Sequence, residues 1–113
     1  MPKKKTSNDT FEKLVLKAID DALLTLGDSA RQSIYFHLKT KYKMTKNDIP
    51  FHIRDFADDL EKIFGPGSKF LEIVIMKKLY EKTGSALEWD ERKELVFADY
   101  VAAAKQSCMK NEH

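Results

Sequence analysis

Apolar residues recur at Phe11, Leu14, Val15, Ala18, Ile19, Ala22, Leu23 and Leu26, spacings that place them on one stripe of a helix. The stripe predicts a first helix opening near Asp9 or Thr10, either of which can cap it, and stopping at Gly27, where the missing Cβ suits a left-handed terminator. A second, narrower face is formed by Ile34, Tyr35, Leu38 and Tyr42, behind Asp28 or Ser29 as the cap, with Ser29 and Gln32 at capping-box spacing. Thr45 and Asp48 repeat that spacing before Ile49-Pro50. Because proline biases its predecessor away from helical ψ, a single turn is expected there.

From Ile53 onward, Ile53, Phe56, Ala57, Leu60, Ile63 and Phe64 share a face opposite Asp55, Asp58, Asp59, Glu61 and Lys62, and Gly65-Pro66-Gly67 ends this third helix. Pro66 also suits the first turn of the next helix, where its missing N–H has no intrahelical partner to lose. The run Phe70-Leu71-Glu72-Ile73-Val74-Ile75-Met76 is rich enough in β-branched residues to suggest a strand. It continues through Leu79 and Tyr80 to Gly84, a helix's length, so it reads as a broad central helix with neighbours on several sides. Ser85 with Glu88, or Asp90, opens a last helix carrying Leu95, Phe97, Ala98, Val101, Ala102 and Cys108, with fraying expected after Gln106.

The result is an all-α fold, a compact bundle of about five helices with short Gly/Pro corners. It is organised as a flexible basic tail over residues 1–8, one helical domain over 9–108 and a frayed end over 109–113. Apolar residues at 42% of 113 are enough for one core, while 34% charged residues imply extensive solvated faces.

Several stretches resemble the fifth type of Nitrosopumilus output domain: Leu26-Gly27-Asp28-Ser29-Ala30-Arg31-Gln32-Ser33-Ile34-Tyr35-Phe36-His37-Leu38, then Asp48-Ile49-Pro50, Phe64-Gly65-Pro66-Gly67 and Leu79-Tyr80-Glu81-Lys82. The match covers about residues 24–84. That family consists of small archaeal helical domains, alone or attached to signalling and regulatory modules. The resemblance implies an output or adaptor role with no known catalytic residue, and any regulatory signal is expected to come from a separate partner.

Charge narrows the function classes. A net charge of +2 from nearly balanced totals gives no strong positive field, and arginine occurs only at Arg31, Arg54 and Arg92, which disfavours bidentate readout of phosphate or guanine. No apolar run reaches the roughly 18 residues that span a bilayer, and the basic start has no apolar segment behind it. With a single cysteine, Cys108, no intramolecular disulfide forms, and a cytoplasmic location is expected.

The chemistry is sparse. His37, His52, His113 and Cys108 lack the paired spacing of a structural zinc site; His37 reads as a half-buried helix residue, and His52 sits in the Pro50 corner. Cys108 near a helix end is poorly placed for a thiolate. Asp58 and Asp59 diverge by roughly 100° on a helix and make no acid–base pair, while Asp55 and Asp59 read as solvated surface. No phosphate-binding glycine motif is present, so no enzyme, cofactor or metal is expected.

Two binding features remain. Trp89, Phe97 and Tyr100, with the wide Phe70–Met76 helix, form an apolar surplus suited to a protein partner or self-association. Lys39, Lys41, Lys43 and Lys46 surround Tyr42, an arrangement in which lysines touch phosphates while the ring stacks on a base. The expected function is a non-enzymatic interaction or regulatory domain, with nucleic-acid binding through the lysine cluster as the alternative.

Overall fold

The computed structural model describes residues 7–84 and 96–110. Five α-helices appear among them: α1 (Ser7–Leu24), α2 (Asp28–Tyr42), α3 (Ile53–Phe64), α4 (Ser68–Thr83) and α5 (Phe97–Lys110), with 3₁₀ turns at Lys46–Phe51 and Gly65–Gly67. No strand occurs among the described residues, and the fold is the expected all-α bundle with glycine and proline corners.

The core is built around α1 and α4, which share the most extensive contact in the molecule. From α1 come Phe11, Val15, Ala18, Ile19, Ala22 and Leu23, and from α4 Leu71, Ile75, Met76, Leu79 and Tyr80, all buried. α4 also packs on α3 and α5, so the Phe70–Met76 segment is a helix buried on several sides, though Phe70 itself is exposed. α3 adds Phe56 and Leu60, and α5 adds Phe97, Val101 and Ala104. α2 lies outermost, docked mainly on α1 through Ile34 and Leu38, with Tyr35 and Tyr42 half-buried.

Two neighbouring aspartates of α1 fasten this arrangement on different sides. Asp20 accepts hydrogen bonds from Arg31 Nη1 (2.9 Å) and Tyr35 (3.0 Å) and lies 3.6 Å from Lys46 Nζ, tying α1 to α2 and to the first 3₁₀ turn. Burial pushes the Asp20 carboxyl upward, but the hydrogen bonds from Arg31 and Tyr35 and the nearby Lys46 charge leave it below the usual range. Asp21 meets Lys82 Nζ at 3.1 Å, joining α1 to the end of α4.

Several boundaries differ from the sequence expectation. α1 begins at Ser7, so Ser7 and Asn8 belong to the helix and Asp9 and Thr10 fall in its first turn; polar residues in succession leave a helix start free to shift. It ends at Leu24, leaving Leu26 exposed beyond the stripe. Gly27 has positive φ, but with φ 105° and ψ 151° it lies outside the left-handed helical well and caps α2 rather than terminating α1 there. Asp28 then occupies the first turn and accepts from Arg31 and from Gln32 (2.9 Å), so the Ser29–Gln32 capping box does not form.

The Thr45–Asp48 signal holds: the Asp48 carboxylate accepts from the Thr45 N–H (3.1 Å) and hydroxyl (2.8 Å), closing the single turn that contains Pro50. Gly84 closes α4 in the left-handed well (φ 75°, ψ 14°). The helix carrying Phe97 starts at Phe97, not between Ser85 and Asp90, because the Val96 carbonyl accepts the N–H groups of Asp99 (3.0 Å) and Tyr100 (3.3 Å). It runs through Lys110, past the expected fraying point at Gln106. Residues 1–6, Ser85, Glu88, Trp89, Asp90 and 111–113 lie outside the described residues.

Candidate functional site

The lysine cluster does not converge. Lys39 and Lys41 are exposed on α2 but stand two residues apart, roughly 200° around the helix axis. Lys43 has left the helix: it takes the left-handed conformation (φ 60°, ψ 30°), and behind it the Met44 N–H bonds the Leu38 carbonyl (3.0 Å) while the Met44 side chain is buried. Lys46 turns back toward Asp20 and lies 5.0 Å over the Tyr35 ring. Tyr42 is half-buried, with Lys62 Nζ 5.5 Å from its ring centre and His37 packed edge-on at 5.8 Å. The ring expected to stack on a base thus has Lys62 and His37 as neighbours within the chain. His37 is exposed rather than half-buried.

The aromatic surplus is also redistributed. Phe97 is 3% exposed and packs 6.5 Å from Phe56, so it is core and not a contact surface. Tyr100 is half-buried against that core, and its carbonyl accepts the Tyr80 hydroxyl at 2.7 Å, a bond that joins α4 to α5. Trp89 lies outside the described residues.

A different place brings polar and apolar groups together. Pro50 sets the first 3₁₀ turn so that Ile49 is buried while the next aromatic, Phe51, is turned out and 63% exposed. Phe51 and Pro50 form the shared rim of two adjoining hollows. The larger, about 480 Å³, runs between the start of α3 (His52, Arg54) and α5 (Val101, Ala102, Lys105). The smaller, about 200 Å³, is bounded by Leu16, Lys13 and Asn47.

Glu12 lines both hollows. Its side chain is only 8% exposed; Oε2 accepts from Lys105 Nζ at 3.1 Å, while Oε1 is closed off from solvent with no hydrogen-bond partner among the described residues. Lys105 neutralises the charge but leaves one acceptor unused, and a buried unused acceptor favours anything that supplies an N–H or O–H. Around it, Arg54 and Lys105 balance Glu12 and Asp55, so the groove carries both signs and little net charge.

Sequence reading overlooked these residues for identifiable reasons. Glu12 stands seven residues before Ile19, on the buried stripe, and a carboxylate in that register was the available signal. Asp59 and Glu72 follow the same pattern. Asp59, taken as solvated surface, is buried three residues after Phe56, and Glu72 is buried one turn before Ile75 and Met76. In Asp59 burial foremost, with Asp55 and Asp58 adding repulsion, raises the carboxyl above its ordinary value.

Among the described residues no group of His, Cys, Asp and Glu is placed to hold a metal ion, and no helix is long and apolar enough to cross a membrane. Comparison with protein-family models, curated proteins and solved structures finds no match to this chain.

Proposed function

We propose that this chain is a non-enzymatic interaction domain that takes an extended peptide segment of a protein partner in the groove beside Phe51. One observation carries the reading: a largely exposed aromatic ring stands on the rim of two adjoining hollows, beside a buried glutamate with one oxygen unsatisfied. The occupant follows from the charge balance. Since Lys105 already compensates Glu12, a second cation would be repelled and an anion would meet Asp55; a neutral donor such as a backbone N–H fits best. Phe51, Pro50 and Leu16 then cover an apolar side chain of the same segment. An adaptor role of this kind is also what the resemblance to small output domains implies.

The test is a peptide selected from a random display library on the wild-type chain, measured against Phe51→Ser. Phe51 leaves the surface without opening the core, so folding by circular dichroism should be unchanged. Affinity should fall about tenfold or more, as for a central aromatic anchor, and should change little with salt. Equal affinity for both proteins would overturn the proposal. So would binding that the Phe51 variant retains and that salt abolishes, the behaviour of a nucleic-acid-type patch.

A further inference from the structure

Resting on the reading of the Phe51 groove as a peptide site, we infer that its smaller hollow takes a tryptophan side chain of the partner segment, whose indole N–H donates to Glu12. The hollow, about 200 Å³, is smaller than the roughly 300–1,000 Å³ of a pocket for a whole small ligand, so it suits one side chain. Leu16 of α1, with Pro50 and Phe51 of the first 3₁₀ turn, gives it apolar walls. The Phe51 ring, largely exposed on the rim, offers a second aromatic ring an edge-to-face or offset contact, which adds to the gain from the area buried.

Glu12 decides which side chain. It lines this hollow with its side chain 8% exposed, Oε2 bonded to Lys105 and Oε1 without a hydrogen-bond partner among the described residues. Leucine, methionine or phenylalanine would fill the space but seal Oε1 in with no donor, at the cost of desolvating a charged acceptor. Lysine or arginine would bring a second cation beside Lys105, and serine or asparagine brings a donor with no apolar body to meet Leu16 and Phe51. A donor built into an apolar ring answers both demands. The last torsion of a glutamate is soft, so the carboxylate turns Oε1 toward the hollow while Oε2 keeps Lys105.

Position separates tryptophan from tyrosine. Glu12, Pro50 and Phe51 line both hollows, so Glu12 stands at their common boundary, beside a ring lodged in the smaller one rather than at its far end. Indole carries its N–H on the flank of the ring system, whereas a phenol carries its hydroxyl at the tip. The indole N–H is also a donor only, with no acceptor to satisfy where Lys105 is already engaged by Glu12. The main chain of the segment then runs on into the larger hollow between α3 and α5.

The probes are N-acetyl-tryptophan amide and its benzothienylalanine counterpart, in which sulfur replaces the N–H with little change of shape, titrated into the full ¹⁵N-labelled chain. The N-acetyl amides of tyrosine and leucine run alongside. Expected are amide shifts at Glu12, Leu16, Asn47 and Phe51, a dissociation constant in the millimolar range or tighter, and affinity for the tryptophan amide about tenfold or more above the other three. In Glu12→Gln, Lys105 takes the one remaining carbonyl oxygen and the NH₂ faces the indole, so the preference for tryptophan over the benzothienyl amide should disappear. The comparison on the wild-type chain stands whether or not that variant folds. Peptides selected by display should carry a tryptophan. Equal affinity for the indole and benzothienyl amides, a preference that survives in folded Glu12→Gln, or tighter binding of the tyrosine amide overturns the inference. So do selected peptides that need Phe51 but carry no tryptophan, an outcome that leaves the peptide reading in place. Peptides indifferent to Phe51→Ser sink that reading instead, and the amide comparison then decides the indole pocket by itself.

Discussion

Single carboxylates of this chain have opposite effects on its stability. Asp20, Asp21 and Asp48 are held below their ordinary values. Burial opposes the shift at Asp20 and Asp21, where Arg31 and Tyr35 on one and Lys82 and Lys17 on the other outweigh it, and Thr45 lowers Asp48. A depressed carboxyl contributes stability above its unfolded value near 3.8 that is lost as pH falls through the folded value. Glu72 and Asp59 are raised, so the folded state holds their protons more tightly than the unfolded chain does. Stability then declines as pH climbs from about 4.5 through the raised Glu72 value. Stability should therefore peak at mildly acidic pH. Urea midpoints from pH 3 to 8 should show that peak, and Glu72→Gln should flatten the decline on the alkaline side while leaving the acid limb in place. An unchanged alkaline slope in the variant would show that Glu72 does not cause it.

Among the elements, α2 depends on its ends more than on its packing, since its main neighbour is α1. Its closing residue, Lys43, occupies a left-handed conformation that disfavours a side chain with a Cβ, and Met44 seals the end by its bond to the Leu38 carbonyl and by burial. Lys43→Gly should raise stability by about 1 kcal/mol, measured by urea denaturation, because glycine takes this conformation without the steric penalty. A loss of stability would mean that the lysine side chain is used there. At this end alternating lysines that look contiguous along the chain are separated in space, since the helix turns Lys39 and Lys41 apart and the cap takes Lys43 out of line.

For the molecule as a whole, the helices and most corners were legible because they follow from local causes: periodic apolar stripes, Pro50, the Gly65-Pro66-Gly67 corner and Gly84. Helix starts were less so, since Gly27 and Val96 cap by backbone alone and present no capping side chain to read. The candidate groove was not found. It arises where separate elements meet, Glu12 with Phe51 and Lys105, and one-dimensional spacing records only part of that meeting. What each helix did carry was a carboxylate in a core register, at Glu12, Asp59 and Glu72.

The central claim is that a partner segment lies in the Phe51 groove. The most direct test is the amide footprint of a display-selected peptide on the ¹⁵N-labelled chain. The account predicts shifts concentrated at Phe51, Ile53, Arg54, Val101, Ala102 and Lys105, with Glu12 among them and Lys39 to Lys43 unmoved. A footprint centred on Lys39, Lys41 and Tyr42, or spread over the outer face of α2, would contradict it.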